Sequence, residues 1–460
     1  MDFSFLALVG SDEVNLARLL FLILLPVVAL APPRIAIIAW LLMGNLDPSG
    51  PNSDVTGSIG WMNAVKGVAL PMFLLWRIRS IDLPFLNTVP MKLWLGLIGY
   101  AAISSLWSPF PLPALKLVGN MVGILLTFAV LRAVAIRGLI GAVGLAALIV
   151  GSLAMGVLQT YLVGDGLYGF DGVGQPARFT SFVSAQQFAA FLVAFLAIAL
   201  WHPQFRPWMR VALSLSVITS LAFNGSRTWF VGALLVVLIF IWLSSPQVLA
   251  FAMLGLATLL LSGLLYINLD PNLNAVFANT PSRIVATGKA LLTGVDTSRQ
   301  LGLANLNFRL AIYDRTFQDL GAATTTEWLF GHGTSSGGNI LLRTFPRSYT
   351  QITIDSNRSM HNEWLRTLYE WGLSGSILLL ASLGAMVVGL CRRYRSPGFR
   401  LMVAPALSAL PAFLLAFSTE NLLAGAGNAI TMSLALLVAL CWAPSSTYYY
   451  PRRYEVNTAH

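Results

Sequence analysis

The sequence is poor in charged residues and nearly lacks cysteine. Charged residues make up 10% and hydrophobic residues 57% of the 460 positions, whereas soluble domains carry about 25% charged residues. The two cysteines, Cys391 and Cys441, both end apolar runs, so they support neither a disulfide framework nor a zinc site. The net charge is +10, but no basic stripe lies on a soluble face, which argues against nucleic-acid binding. These deficits predict a polytopic membrane protein. Its basic residues indicate primarily which loops are cytoplasmic, and secondarily an affinity for anionic lipid or phosphate.

Most of the chain consists of apolar runs, and a helix needs about 20 apolar residues to cross a bilayer. The first run, Leu16–Met43, is divided by Pro32-Pro33, and we expect one broken, tilted segment, with two half-helices as the alternative. This gives about twelve transmembrane helices, or about thirteen with the alternative. The other predicted spans are Trp61–Trp76, Met91–Trp107, Ala114–Leu131, Leu139–Val163, Val183–Trp201, Val211–Phe223, Trp229–Leu243, Val248–Ile267, Leu373–Leu390, Leu401–Phe417 and Leu423–Trp442.

Basic residues fall in alternate loops between these spans, which predicts the direction of the chain. By the positive-inside tendency these loops are cytoplasmic, so both termini lie inside and the long polar insert lies outside. No cleavable signal peptide is apparent. We therefore expect a transmembrane bundle over residues 1–267, a mainly helical periplasmic loop over 268–372, and a second bundle with a tail over 373–460. The basic loops contain Arg77, Arg79 and Lys92, Arg132 and Arg137, Arg206 and Arg210, Arg392–Arg395, and Arg452-Arg453.

The insert is the one long polar stretch, and its cations are mostly arginine. The spacing of apolar residues predicts an amphipathic helix over Asn305–Leu320. Arginine offers planar, bidentate donors to phosphate and stays protonated. We expect the insert arginines to converge with Arg178 and Arg227, which lie on the same side, on the diphosphate of an anionic lipid.

Simpler interpretations exist for each candidate. Arg227 at the start of a span could be an interfacial anchor, and His361 could brace the helix that enters the membrane. His332 in its Gly-His-Gly setting is more typical of a structural residue than of a catalytic one. Glu363 and Glu370 could form a solvated helical face paired with Arg366.

Several motifs in order resemble one family. They are Ser226–Trp229 opening a span, Arg309 in the amphipathic helix, Leu329–Gly333, and His361–Glu363 running to Glu370–Gly375. Together they are similar to the O-antigen ligase and O-antigen polymerase superfamily, over less than half of the chain.

The resemblance implies an all-α, GT-C-like glycosyltransferase of the bacterial inner membrane that inverts the donor sugar and needs no metal or other cofactor. Its donor is a glycan on undecaprenyl diphosphate, and its acceptor is lipid A–core for a ligase or another lipid-linked repeat unit for a polymerase. Arg227 and Arg309 match motif positions that hold the diphosphate, with Arg178 and Arg358 as further candidates. His361 matches the histidine that assists the acceptor.

The chemistry of these residue types agrees with that expectation. A glycosyl diphosphate leaves with negative charge, which guanidinium groups can stabilise. An acceptor hydroxyl must lose a proton, and the ordinary pKa of histidine suits His361 to general-base work, with Glu363 or Glu370 as its partner or substitute. The external loops lack a DxD-like pair, which disfavours metal dependence. A transporter or flippase of the same lipid is the alternative, but the nearly charge-free middles of the spans favour an enzyme.

Overall fold

The computed structural model describes residues 12–48, 61–78, 87–163, 179–243, 304–345, 360–396, 398–419, 423 and 429–442. Within these ranges every regular element is helical, apart from an isolated bridge between Leu46 and Phe182. The predicted all-α class is therefore confirmed. The predicted span Val248–Ile267 lies outside the described residues.

The helices of the first part begin and end close to the predicted runs. Prolines stand in the first turn of α2, α5, α6 and α9, where the missing N–H group costs no helical hydrogen bond. The bounds are α1 Asp12–Leu30, α2 Pro33–Met43, α3 Trp61–Ala64, a π-helical turn Val65–Ala69, α4 Leu70–Ile78, α5 Val89–Ser104, a 3₁₀ turn Ser105–Trp107, α6 Pro111–Ile136, α7 Ala142–Val163, α8 Ala185–Trp201, α9 Pro207–Asn224 and α10 Arg227–Leu243.

The second part contains three helices of the insert and three apolar ones. Their bounds are α11 Ala304–Gly321, α12 Thr325–Phe330, α13 Gly338–Thr344, α14 Glu363–Arg395, α15 Arg400–Phe417 and α16 Ala429–Leu440. Gly372, with φ of 62°, kinks α14 between a polar first part and an apolar second part. Five described stretches are long and apolar enough to cross a membrane, namely Val89–Trp107, Pro111–Ile136, Ala142–Thr160, Glu363–Arg395 and Arg400–Phe417. The count of about twelve spans stays a prediction.

The first apolar run differs from the expected single broken segment. Its helix stops at Leu30 and restarts at Pro33, so the break falls at the proline pair. Arg18, near the start of α1, donates to the carbonyl of Pro48, beyond the end of α2, at 2.9 Å. The two helices therefore run in opposite directions. This hairpin corresponds to the alternative of two half-helices. It brings the start of α1 to the end of the bundle opposite Leu30. The side of the membrane on which the N-terminal segment lies stays a prediction.

The loops of the bundle gather at two ends. At one end, the amide of Asp47 bonds to Phe182, and the amide of Phe179 bonds to Phe223. At the same end, Arg309 of the insert helix α11 bonds to Thr419, which bonds to Thr228 at the start of α10. We call this the insert end. At the other end, Arg77 binds the carbonyl of Val28, and the predicted cytoplasmic arginines of α6 and α14 meet. We call this the basic end.

Helix α8 forms the centre of the bundle. Every side chain from Phe188 to Ala199 is buried, and α8 packs against α9, α10, α15 and α16. A helix that is apolar all round is expected to be enclosed by others. This core fixes α10 and α15 side by side, and their ends at the insert end carry part of the candidate site.

Candidate functional site

Two glycine-containing motifs, Leu329–Gly333 and Glu370–Gly375, contact each other where the insert meets the membrane bundle. We call them the glycine motifs. The amide of His332 donates to the carbonyl of Tyr369 at 3.0 Å, and the amide of Gly333 donates to Glu370 at 2.9 Å. A Cβ atom on Gly331 would clash with the backbone carbonyl oxygen of Glu370, and one on Gly372 would lie 2.6 Å from the backbone nitrogen of Gly331. The two backbones therefore approach as closely as only glycine allows.

The carboxylate of Glu370 holds the loop that follows this contact. It is fully buried and accepts the amides of Ser335 at 2.9 Å and Gly337 at 3.2 Å. Because both carboxylate oxygens bind backbone amides, the sequence-based suggestion that Glu370 serves beside His361 finds no geometric support. Its side chain orders the loop between α12 and α13.

Helix α5 supplies residues that the sequence motifs did not indicate. The hydroxyl of Tyr100 lies 3.0 Å from the carbonyl of Phe330 and 3.1 Å from that of Trp371, so it bridges both glycine motifs. The Thr334 hydroxyl bonds to the carbonyl of Ala101 at 2.7 Å and accepts the indole N–H of Trp371 at 2.9 Å. These bonds attach the insert to the membrane bundle. The only sequence signal nearby is Trp107-Ser108-Pro109, whose Ser108 hydroxyl donates to the Thr334 carbonyl.

His361 lies immediately before the start of α14. It has a left-handed φ of 46°, and the Asn362 side chain caps the helix by accepting the Leu365 amide at 3.0 Å. The His361 carbonyl lies 3.0 Å from the Tyr313 hydroxyl of α11, and its imidazole is half-buried, with its centroid 6.3 Å from that of Phe308. The cap and the tyrosine thus fix the backbone that carries His361.

A turn after α15, Ser418–Thr419, joins three predicted site elements. Arg309 Nη1 donates to the Thr419 carbonyl at 2.7 Å, and Tyr313, one turn along α11, lies 3.4 Å from the Ser418 carbonyl. The Thr419 hydroxyl bonds at 3.1 Å to Thr228, the residue after Arg227. Helices α10, α11 and the start of α14 therefore converge at this turn.

Glu363 is buried rather than solvated. Its carboxylate forms an ion pair with Arg366 and accepts the Leu423 amide at 3.4 Å. Arg366 is 1% exposed, and its Nε and Nη1 atoms have no hydrogen-bond partner. The expected pairing with Arg366 is present, but the solvated helical face is wrong. Glu370, about one helical turn beyond Arg366, is also buried and interacts electrostatically with Arg366. We call these three side chains the buried Glu363–Arg366–Glu370 triad.

Of the remaining candidate residues, only some lie in the part of the chain that the structure describes. Arg227 is the first residue of α10, whereas Arg178 and Arg358 lie outside the described residues. Next to Arg178, the amide of Phe179 bonds to Phe223 at 3.1 Å, close to the end of α9. Within the described part of the chain, no three His, Cys, Asp or Glu side chains group together as a metal site.

His332 is held within the glycine contact. Its ring stacks on that of Tyr369 with centroids 4.3 Å apart and planes 8° apart, and its Nδ1 lies 3.1 Å from the Tyr369 carbonyl. This geometry agrees with a structural role for His332 and distinguishes it from His361.

Residues 212–380 match the family model described as O-antigen ligase. The matched segment, less than half of the chain, is similar to the O-antigen ligase family. The match runs from α9 into α14 and therefore includes Arg227, Arg309, His361 and both glycine motifs. It confirms the resemblance predicted from the motifs. The match supports a glycosyltransferase of the O-antigen ligase/polymerase type at the level of the family, and the five long apolar helices agree with a membrane protein. No curated protein matches the chain.

Proposed function

We propose that this protein transfers a glycan from undecaprenyl diphosphate to an acceptor sugar hydroxyl at the insert end of the bundle, on the periplasmic side. The convergence of α10, α11 and the start of α14 at the Ser418–Thr419 turn is the observation that carries the proposal. It joins the motif elements of Arg227, Arg309 and His361, which lie far apart in the sequence.

The arginines hold the diphosphate of the donor. Guanidinium groups bind phosphate oxygens through paired N–H donors and keep their charge. During transfer, the bond between the sugar carbon and the diphosphate oxygen breaks, and negative charge grows on that oxygen. Preorganised cations next to it lower the barrier. Arg309, fixed at Thr419, and Arg227 supply this charge, and Arg178 and Arg358 complete the group in the proposal.

His361 takes the proton of the acceptor hydroxyl, whose oxygen forms the new bond to the sugar carbon. A single displacement from the side opposite the diphosphate inverts the configuration at that carbon. The chemistry assigned to these side chains involves no metal ion. Because the Glu363 carboxylate binds Arg366 and Leu423, we assign Glu363 to positioning the start of α14, in place of direct proton transfer.

Glycan transfer by the purified protein from a lipid-linked donor tests these roles. We expect His361→Ala to lower the rate about 100- to 10,000-fold, the usual contribution of general acid–base catalysis, with donor binding retained. Arg343, which is paired with Asp319 on the insert surface, provides Arg343→Gln as a control that keeps activity. Full activity of His361→Ala would contradict the assignment, and lipid movement without transfer would favour a flippase.

The acceptor decides between ligase and polymerase, which share the proposed donor and mechanism. Deletion of the gene followed by analysis of surface polysaccharide separates them. Polymer that remains on the lipid carrier, with none on lipid A–core, indicates a ligase. Accumulation of single repeat units indicates a polymerase.

The periplasmic orientation is tested by labelling with a membrane-impermeant maleimide. Ala322 is exposed after α11, and Cys391 is exposed near the basic end. In intact spheroplasts we expect an Ala322→Cys variant to label in a Cys391→Ser background, and Cys391 of the unchanged chain to label only after lysis. The reverse pattern would invert the orientation.

A further inference from the structure

Two arginines from different helices contact one tryptophan at the basic end, away from the site described above. The guanidinium carbon of Arg132, on α6, lies 4.4 Å from the centroid of the Trp442 ring, and that of Arg393, on α14, lies 4.6 Å from it. Arg393 also lies 4.3 Å from the ring centroid of Phe399, just before α15. The ends of α6 and α14 thus bring two positive charges to Trp442, two residues after the end of α16.

These arginines are more enclosed than residues that only signal topology. Arginines at helix ends usually extend into the aqueous interface. Arg132 is only 8% exposed, and the Nε atom of Arg393 is buried without a hydrogen-bond partner. A buried donor without an acceptor is costly, and stacking on an indole does not supply an acceptor. Because the Arg393 side chain as a whole is only half-buried, its guanidinium group remains accessible to an anionic oxygen at this end.

The charge of the surrounding residues has the same sign. Among the residues whose side chains the structure describes, the carboxylates all belong to segments of the insert end: Asp47, Asp314, Asp319, Glu327, Glu363 and Glu370. The last turn of α14 and the start of α15 add Arg392, Arg395 and Arg400 to the basic end. Among the described residues, positive charge at the basic end is thus separated from the carboxylates by the length of the bundle.

We propose that Arg132 and Arg393 bind the phosphate group of an anionic glycerophospholipid at the basic end of the bundle. Both guanidinium carbons lie within 4.6 Å of one ring centroid, so they are close enough together to contact one lipid head group, and arginine binds phosphate through paired donors. Trp442 suits the membrane–water interface. Exposed apolar side chains on adjoining helices, Ile136, Val388 and Leu401, offer lipid-facing surface for acyl chains. Basic pockets between membrane helices bind anionic head groups in this way.

Native mass spectrometry of the detergent-purified full chain tests this site. The probes are dioleoyl-phosphatidylglycerol and dioleoyl-phosphatidylcholine, which share acyl chains and differ in net charge. We expect the wild type to retain phosphatidylglycerol at least about tenfold better than phosphatidylcholine, a difference of about 1.4 kcal/mol. Arg393→Gln should lose most of this preference. Arg395→Gln is the matched control, since Arg395 lies in the same helical turn but is exposed, and it should keep the preference.

Three results would overturn the proposal: no preference in the wild type, equal losses in Arg393→Gln and Arg395→Gln, or displacement of the lipid by millimolar inorganic phosphate. The last result would indicate a site for a soluble anion. Arg132→Gln should also lower the preference for phosphatidylglycerol. If that variant does not fold, Arg393→Gln alone tests the proposal, because Arg393 is only half-buried. Trp442→Phe keeps an aromatic face and should retain much of the preference if the protein folds.

Discussion

Replacing Arg366 by methionine should destabilise this protein more than any surface charge substitution. Arg366 is the cation of the buried Glu363–Arg366–Glu370 triad, and its guanidinium is 1% exposed. Methionine fills a similar volume without charge. The substitution therefore leaves two buried carboxylates on one helical segment without their cation.

The magnitude follows from the burial of the triad. Removing one partner of a buried ion pair typically costs about 3–5 kcal/mol, because the other charge stays buried and uncompensated. Glu370 keeps its bonds to the amides of Ser335 and Gly337, so most of the loss should arise at Glu363. Replacing a whole buried pair by neutral groups is often nearly neutral. The double variant Glu363→Gln/Arg366→Met should therefore recover much of the stability.

Thermal unfolding in detergent, followed by tryptophan fluorescence, measures these differences. Arg343→Met is the control, since Arg343 pairs with Asp319 at 2.8 Å on the surface with 55% of its side chain exposed. Such a pair contributes about 0–1 kcal/mol. We expect the lowest midpoint for Arg366→Met, a higher one for the double variant, and a midpoint near wild type for Arg343→Met. A double variant less stable than Arg366→Met would refute the argument from uncompensated charge.

Three further predictions concern the insert and its contact with the bundle. Gly372→Ala should sharply reduce folded protein in size-exclusion chromatography, because its Cβ would clash with Gly331, whereas Gly384→Ala, with open space around it, should behave as wild type. Tyr100→Phe should lower the unfolding midpoint by the loss of a hydroxyl shared between two carbonyls, roughly 1 kcal/mol, and an unchanged midpoint would contradict its bridging role. Hydrogen bonds from the Thr324 amide and hydroxyl lower the pKa of Glu327 below its ordinary 4.5. The Glu327 carboxylate therefore stabilises the fold above pH 4.5, and its contribution is lost as the pH falls through the lowered pKa. The difference in unfolding midpoint between wild type and Glu327→Gln should shrink over that range, and a difference independent of pH would contradict this prediction.

The sequence predicted the helical class and the motif residues because both depend on local patterns. Apolar runs of sufficient length give helices in any membrane bundle, and Pro32-Pro33 marked a real break. The reversal of α1 against α2 was not predictable, since the apolar pattern is the same for a tilted segment and a hairpin. The bond between Arg18 and Pro48 is a tertiary contact without a sequence signal.

The candidate site was predicted in part for the same reason. Arginines and a histidine beside apolar runs are visible in the sequence, but burial is not. Glu363 and Arg366 have the spacing of a solvated pair, yet the packing of α14 against α15 encloses them. The anchoring of the insert by Tyr100 depends on a contact across 271 positions, from Tyr100 to Trp371. No local periodicity reports such a contact.

Binding of undecaprenyl diphosphate to purified wild type, Arg309→Gln and Arg343→Gln tests most directly whether the junction at Ser418–Thr419 is the donor site. Arg309 reaches this turn, whereas Arg343 pairs with Asp319 elsewhere on the insert. We predict a loss of affinity of about tenfold or more for Arg309→Gln, in line with a charge-assisted hydrogen bond of about 1.5–3 kcal/mol, and unchanged affinity for Arg343→Gln. Equal affinity of all three proteins would contradict the assignment of the diphosphate to this junction.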